Sequence, residues 1–229
     1  MHNIPVQLWS VFLDQDATAV HKLYNLLNDE ERLRAAKFKF DRDRIRWVVS
    51  RASLRIALGQ WLNFPPAEIE LSITDTGKPF VAQTPISFNL SHSENFTLIV
   101  ITADEPVGVD IEPLNRGKEL LTCTAEFLHP DEQALLEKDD IDKSRFLIRT
   151  WCAKEAYLKA TGTGLNIILT SLRVDWPPNG TALLSYEGKP DPFFRIHFPQ
   201  PRTMSMFCAA VALPKKFTCP EIVFLDPFV

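Results

Sequence analysis

The 229-residue sequence predicts a mixed α+β protein with two similar halves, each with a small antiparallel sheet packed against one long helix. In each half an apolar strand is followed by helical segments, the last of them long, and then by a run of short strands. This repeated order is a weak sign of internal duplication. A polar, proline-containing stretch at 103–106 separates the halves, so we expect units at 1–105 and 106–229.

Periodicity and turn residues define the first-half elements. The long helix carries apolar side chains at helical spacing, Asp41 or Asp43 can cap it, and Pro65-Pro66 end it. The predicted elements are a strand over 6–13, a helix over 14–34 with a break near Asn28, the long helix over 41–63, strands over 69–74, 86–90 and 97–102, and a turn at 75–79.

The second half follows the same plan. Its predicted elements are a strand over 107–112, helical segments over 120–127 and 131–137, a long helix over 142–161 that ends at Gly162, strands over 171–175, 193–198 and 204–213, and a turn at 177–180. The tail after Leu213 is expected to pack loosely, apart from residues 222–225.

Composition excludes several classes of protein. Hydrophobic residues make up 45% and charged residues 24% of the chain, as in ordinary soluble domains. A net charge of −4 does not favour nucleic acid as a partner. The four cysteines lack the spacing of a zinc site or a disulfide framework. We find neither a signal peptide nor a membrane-spanning run, and expect a cytoplasmic protein without a membrane partner.

Two carboxylates lie on one face of the strand at 107–112. Asp110 and Glu112 point the same way because strand side chains alternate, and their repulsion requires a cation, a proton or full solvation. Taken alone, the pair also fits a solvated strand end before Pro113. With Glu155 from the later helix, the three hard oxygen ligands suit Mg²⁺.

Trp151, Glu155 and Lys159 recur every four residues and form one stripe of that helix. The stripe could be an exposed ion pair worth about 0.3–0.5 kcal/mol. The large aromatic side chain of Trp151 favours a partly buried face instead.

Several polar groups of the first half could bind phosphate. Ser91 and His92 follow the strand at 86–90, Lys78 lies in a tight turn, and the first helices are rich in arginine. Each group also has an explanation without a ligand. His92 could be a turn histidine bonded to the backbone, Lys78 could be a solvated hairpin lysine, and the arginines could lie on a solvated helix surface.

Three motifs occur in order along the chain: FNLSHS at 88–93, GVDIE at 108–112 and WCAKEAYLK at 151–159. With the turn Gly77-Lys78-Pro79, they resemble the 4′-phosphopantetheinyl transferases of the long, surfactin-synthetase-activator (Sfp) type. The resemblance spans about residues 28–165.

The resemblance implies an active site in the cleft between the halves. It also implies Mg²⁺-dependent transfer of the phosphopantetheine arm of coenzyme A to a serine of an apo carrier protein, with release of adenosine 3′,5′-bisphosphate. The implied metal ligands are Asp110, Glu112 and Glu155. The implied coenzyme A contacts are Arg34, Arg46, Lys78, Ser91, His92 and Lys159. The implied catalytic residues are Glu155, Lys159 and His92, with Glu155 as the base, acting directly or through a metal-bound water.

The resemblance further places carrier docking at residues 114–136, where Leu120, Leu121, Phe127 and Leu128 could also be core residues. Acyl, polyketide and peptidyl carriers all fit the resemblance, and a monomer is expected. Two other functions fit the same residues. One is a Mg²⁺-dependent phosphohydrolase acting on a nucleotide-type pyrophosphate, and the other is a non-catalytic protein that binds coenzyme A or the carrier.

Overall fold

The structure is a computed structural model that describes residues 6–164, 167–177, 180–200 and 204–228. The first half contains β1 (Val6–Phe12), α1 (Ala17–Tyr24), α2 (Asp29–Ala36), α3 (Asp41–Leu62), β2 (Leu71–Ile73), β3 (Pro79–Val81), β4 (Ile86–Ser93) and β5 (Phe96–Ala103). The second contains β6 (Gly108–Pro113), α4 (Arg116–Glu119), α5 (Thr124–Phe127), α6 (Pro130–Leu136), α7 (Lys143–Thr161), β7 (Leu172–Asp175), β8 (Leu183–Tyr186), β9 (Lys189–Pro190), β10 (Phe194–His197), β11 (Phe207–Pro214) and β12 (Ile222–Phe224).

The mixed α+β class predicted from the sequence is confirmed. The main sheet of the first half includes β12 from the second half and has the order β12-β1-β5-β4, whereas the main sheet of the second half has the order β10-β11-β6. Two smaller sheets, β2-β3 and β7-β8-β9, lie beside them. The division at residue 105 remains a prediction.

The two main sheets face each other, and each carries a long helix on its outer face. In β1, Trp9 and Val11 belong to the core under α3, while the alternating Val6 and Leu8 belong to a second core. This second core also contains Val109 and its neighbours from β6 and β11. Because side chains alternate along a strand, the sheet of the first half contributes to both cores.

The boundaries of the long helices agree with the sequence, but the predicted cap of α3 was wrong. Its N-cap is Phe40, which makes no capping hydrogen bond through its side chain. Asp41 lies inside the first turn, where a negative charge is favourable, and pairs with Arg44 at 3.0 Å. Asn63, in the left-handed conformation with φ 53°, ends the helix.

The predicted strands need correction at two points, and one predicted turn lies partly outside the described residues. β4 continues to Ser93, so Ser91 and His92 lie within a strand that pairs with β5, and the turn comes after them. The short strands β3, β8 and β9 were not predicted, and β3 begins at Pro79, within the predicted turn. The turn predicted at 177–180 lies partly outside the described residues, because 178 and 179 are not among them.

The end of the chain returns to the first half. β12 pairs in parallel with β1, with Leu8 opposite Ile222, and so forms an edge of the first sheet. Within the described ranges, no helix is long and apolar enough to cross a membrane.

Candidate active site

The two main sheets meet where their edge strands β4 and β6 lie side by side. Polar residues alternate along β4 and reach across to β6. Asn89 accepts a hydrogen bond from the backbone N–H of Val109 at 2.9 Å, and Ser91 donates to Asp110 Oδ1 at 3.0 Å. The junction is therefore bridged by side chains.

A glycine allows α7 to approach this junction closely. A Cβ atom at Gly108 would lie 2.0 Å from the carbonyl oxygen of Ala156 and 2.4 Å from the backbone nitrogen of Ala160. Only a residue without a side chain fits that contact. The close approach of α7 to β6 brings Lys159 to Asp110.

Asp110 is the most enclosed carboxylate of the site, with its side chain 5% exposed. Its Oδ1 accepts hydrogen bonds from Ser91 Oγ at 3.0 Å and Lys159 Nζ at 2.6 Å. Lys159 also donates to Ser91 Oγ at 2.9 Å, which closes a three-membered network. Asp110 Oδ2 is buried and has no hydrogen-bond partner among the residues that the structure describes.

Glu112 lies two residues further along the same face of β6. It accepts a hydrogen bond from Ser93 Oγ at 3.2 Å and forms an ion pair with Arg116. The guanidinium of Arg116 also lies over the ring of Trp151, 5.1 Å from its centroid. Trp151 thus faces the site, as the stripe on α7 suggested.

Glu155 lies one turn before Lys159 on α7. Burial and the negative charge of Asp110 raise the pKa of its carboxyl, although the positive charges of Lys159 and Arg116 partly oppose this. Glu155 and Lys159 line a cavity of about 260 Å³, together with Lys78 and Asn89. A carboxylate of raised pKa beside an ammonium group can accept a proton from a bound hydroxyl.

The donor set fits a hard divalent cation at Asp110 and Glu155. Asp110 Oδ2 is a buried acceptor without a partner in the described part of the chain, and burial together with the charge of Asp110 raises the pKa of Glu155, an effect that a bound cation would relieve. Glu112 is engaged by Arg116. Across the described part of the chain, no three histidine, cysteine, aspartate or glutamate side chains are grouped as a ready metal site.

His92 lies on β4 next to Ser91, and its residue surface is exposed. Desolvation by the surrounding protein and the charge of Lys159 lower the pKa of its imidazole below the usual 6.5. The ring is therefore neutral at pH 7, where it can donate a hydrogen bond but adds no positive charge.

Lys78 reaches from the β2–β3 turn into the second half. Its Nζ donates to the carbonyl oxygens of Lys159 at 2.7 Å, Ala160 at 3.3 Å and Val107 at 3.3 Å. Burial lowers the pKa of this ammonium group from 10.5 to about 8. The structure thus places Lys78 at the cavity wall, with its charge directed at backbone carbonyls.

The structure places Arg34 and Arg46 in contacts on the helices of the first half. Arg34 is exposed and lies 5.8 Å from the ring centroid of Trp47. Arg46 binds Asp14 through two hydrogen bonds of 2.6 and 2.9 Å, and this pairing lowers the pKa of Asp14. Their predicted contacts with coenzyme A remain predictions.

Two arginines of the basic first-half helices have a structural role. Arg55 is fully buried and donates to Glu31 Oε2 at 2.7 Å and to the carbonyl oxygen of Ile69 at 2.9 Å. Arg51 pairs with the other oxygen of Glu31. These two side chains compensate the charge of the buried carboxylate of Glu31.

The apolar residues of the expected carrier segment are mostly core. Leu120, Phe127 and Leu128 are buried in the second-half core, whereas Leu121 is 45% exposed. Of the four leucine and phenylalanine residues named for docking, only Leu121 is available at the surface.

Sequence reasoning missed three polar residues at the site: Asn89, Ser93 and Arg116. The alternation of Asn89, Ser91 and Ser93 was a usable signal, because such residues share one strand face. Arg116 had no comparable signal, since it follows the strand and its partner is set by how α4 folds back.

Comparison with known proteins agrees with this architecture. The model for the 4′-phosphopantetheinyl transferase superfamily matches residues 106–211, and that for the N-terminal part of a 4′-phosphopantetheinyl transferase matches residues 14–104. Among curated relatives, the 4′-phosphopantetheinyl transferase HetI of Nostoc is 35% identical over 165 residues, 70% of either chain. The phosphopantetheinyl transferase of Thraustochytrium is 33% identical over 216 residues, 85% of this chain and 74% of the relative.

A solved structure gives a weaker likeness. The holo-acyl-carrier-protein synthase of Thermotoga maritima has a TM-score of 0.35 and 23% identity, and covers 47% of this chain and 61% of its own. The sequence matches define the class: a transferase with two consecutive halves. The chain belongs to the 4′-phosphopantetheinyl transferase family and is of its long type, as the three motifs predicted.

Proposed function

We propose that the protein transfers the 4′-phosphopantetheine arm of coenzyme A to a serine of an apo carrier protein. Membership of the family supports the reaction class. One observation supports a specific location for the reaction: Ser91, Asp110 and Lys159 converge at the junction of the halves. Glu155, from the same helix as Lys159, lines the cavity beside them.

In the proposed reaction, the serine oxygen forms a bond to the phosphorus that carries the pantetheine arm. The bond from that phosphorus to the bridging oxygen of the pyrophosphate breaks, and adenosine 3′,5′-bisphosphate leaves. Glu155, which lines the cavity beside Lys159, accepts the proton of the serine hydroxyl. Lys159 stabilises the charge on the phosphoryl oxygens, and neutral His92 donates a hydrogen bond.

Asp110 and Glu155 would hold Mg²⁺, because they supply hard oxygen donors and Asp110 Oδ2 is buried without a partner among the described residues. Glu112, the third predicted ligand, would have to exchange its ion pair with Arg116 for the cation. When bound, the cation would neutralise negative charge on the pyrophosphate. The predicted coenzyme A contacts of Arg34 and Arg46 stay proposals, as do the cytoplasmic location and the monomeric state, whereas the contacts of Lys78 with backbone carbonyls point to another role for that residue.

The test is intact-mass spectrometry of apo acyl, polyketide and peptidyl carriers incubated with the protein, coenzyme A and MgCl₂. We expect at least one carrier to gain the mass of one phosphopantetheine arm. Hydrolysis of coenzyme A with every carrier unchanged would instead favour a phosphohydrolase. No reaction with any carrier, despite tight binding of coenzyme A, would indicate a binding protein.

The substitution Glu155→Gln tests the assigned base. Gln has nearly the same shape but cannot accept the serine proton, so we expect transfer to fall by about 10²–10⁴-fold while the fold persists. Glu137→Gln is the matched control, because Glu137 is exposed in the same half. Normal turnover by Glu155→Gln, with a full metal titration alongside, would remove Glu155 from the mechanism.

A further inference from the structure

The last turn of α7 ends in carbonyl groups that the helix itself cannot satisfy. The carbonyl oxygen of Leu158 accepts from the backbone N–H of Gly162 at 3.0 Å, which closes the helix through a left-handed glycine. The next two carbonyls, of Lys159 and Ala160, accept from Lys78 Nζ. The capping group of α7 therefore comes from the other half of the chain.

An ammonium group has three donors, and Lys78 directs all three at backbone oxygens. The third acceptor is the carbonyl oxygen of Val107, just before β6 begins. One side chain thus joins the β2–β3 hairpin to the end of α7 and to the start of β6. A positive charge is also favourable at a helix C-terminus.

The residues that Lys78 holds are those that place the reactive groups. It binds the backbone of Lys159, whose own Nζ donates to Asp110 and Ser91. Val107 lies three residues before Asp110 on the chain that enters β6. A shift of the last turn of α7 would therefore move Lys159 relative to Asp110.

We propose that Lys78 is a positioning residue that latches the first half onto the C-terminal end of α7 and so sets the place of Lys159 in the site. This differs from the coenzyme A phosphate contact that the family resemblance implies for Lys78, because its three donors are already used. The inference rests on the proposed function for its kinetic effect, whereas the latch itself can be tested without any substrate.

The first test is hydrogen exchange of the backbone amides in the last turn of α7, measured on the whole protein. Lys78→Met keeps the length of the side chain and removes the ammonium group. We expect faster exchange at residues 159–162, with the last turn of α3 unchanged as an internal control. Unchanged exchange at 159–162 would overturn the latch, whatever the enzyme transfers.

The second test is a comparison of kcat and KM with coenzyme A and with 3′-dephospho-coenzyme A. Because Lys78→Met should misplace Lys159, we expect its kcat to fall on the order of ten- to a hundredfold. Its KM for coenzyme A, and its preference for coenzyme A over the dephospho form, should be nearly unchanged. Lys22→Met, at an exposed lysine of α1, should behave as the parent does. A higher KM at unaltered kcat, or loss of the preference, would assign Lys78 to phosphate binding and refute the proposal.

Lys78→Arg separates the two roles further. Arginine binds phosphate well, so a phosphate contact would survive this change. Its planar fork cannot direct donors at three carbonyls arranged around one nitrogen, so the latch should open. We expect Lys78→Arg to resemble Lys78→Met in both exchange and kcat, and parent-like behaviour would overturn the proposal. Failure of the parent to modify any carrier would reject the proposed function but leave the exchange result intact.

Discussion

The buried ion pair between Lys154 and Glu132 lets the stability of the second half be tested directly. Both side chains are 1% exposed, and their charged groups are 2.7 Å apart. Lys154 Nζ also donates to the carbonyl oxygens of Phe127 at 2.7 Å and Leu169 at 3.1 Å. The pair therefore connects α7 to α6, and Lys154 also connects it to the end of α5 and to the segment that follows α7.

Both carboxylate oxygens of Glu132 also accept hydrogen bonds. One oxygen accepts from the backbone N–H of Val174 at 2.7 Å, and the other accepts from that of His129 at 2.8 Å and from Lys154. Burial lowers the pKa of Lys154, while the charge and hydrogen bond of Glu132 oppose that shift. Each ion is thus favourable in the core only while the other is present.

Lys154→Met fills nearly the same volume but leaves Glu132 as a buried, uncompensated carboxylate. We expect a loss of about 3–5 kcal/mol in the free energy of unfolding, the usual cost of breaking such a pair. With an m-value of about 2–3 kcal/mol per molar urea, the unfolding midpoint should fall by roughly 1–2.5 M. Equilibrium unfolding in urea measures this directly.

Three further variants complete the cycle. Glu132→Gln should also destabilise, and the double variant should lose less than the sum, with a coupling energy of about 1–3 kcal/mol. Lys138→Met, at an exposed lysine of the same half, should change stability by less than about 0.5 kcal/mol. A loss below about 1 kcal/mol for Lys154→Met, or a coupling energy near zero, would refute the reasoning.

Two other predictions concern the first half and the junction. Burial raises the pKa of Glu31, but hydrogen bonds and charges from Arg55 and Arg51 outweigh burial and set the pKa below the usual 4.5. The ionised Glu31 therefore stabilises the folded protein fully above pH 4.5, and this contribution is lost as the pH falls through the lower pKa of the folded state. Urea midpoints between pH 7 and pH 3 should depend less on pH in Glu31→Gln than in the exposed control Glu30→Gln, and equal slopes would contradict this. Gly108→Ala should push α7 away from β6, cost about 1–3 kcal/mol and reduce transfer, whereas a stable and fully active variant would disprove the close contact.

The local sequence pattern was sufficient to predict the long helices and the strand face that carries Asp110 and Glu112. Helical spacing predicted α3 and α7 almost to the residue, and strand alternation put Asp110 and Glu112 on one face. The strands β3, β8 and β9 were not predicted, because β3 and β9 have only three and two residues and the Leu-Leu-Ser-Tyr sequence of β8 does not alternate. Glu155 was assigned to the same site by the chemistry of oxygen ligands and by the family motifs, and not by periodicity.

Charge patterns alone could not assign partners to the basic residues. Arg51, Arg55 and Arg46 look alike in sequence, yet the first two hold Glu31 and the third holds Asp14. Each partner is more than 15 residues away along the chain, so the pairing depends on how the helices pack. The same holds for Lys78, whose acceptors lie in the other half.

The position of the site follows from a change from apolar to polar side chains across one face of the first-half sheet. On the face that meets the second half, β1 and β5 present the apolar residues Leu8 and Leu98, which form the core between the sheets. β4, at the edge of the same sheet, presents Asn89, Ser91 and Ser93 there instead. Polar groups at that edge cannot join the apolar core, so they bond to β6 and hold Asp110 where α7 supplies Lys159. The core between the halves and the site at its rim are thus two parts of one strand pattern, and an apolar residue at Ser91 would extend the core at the expense of the site.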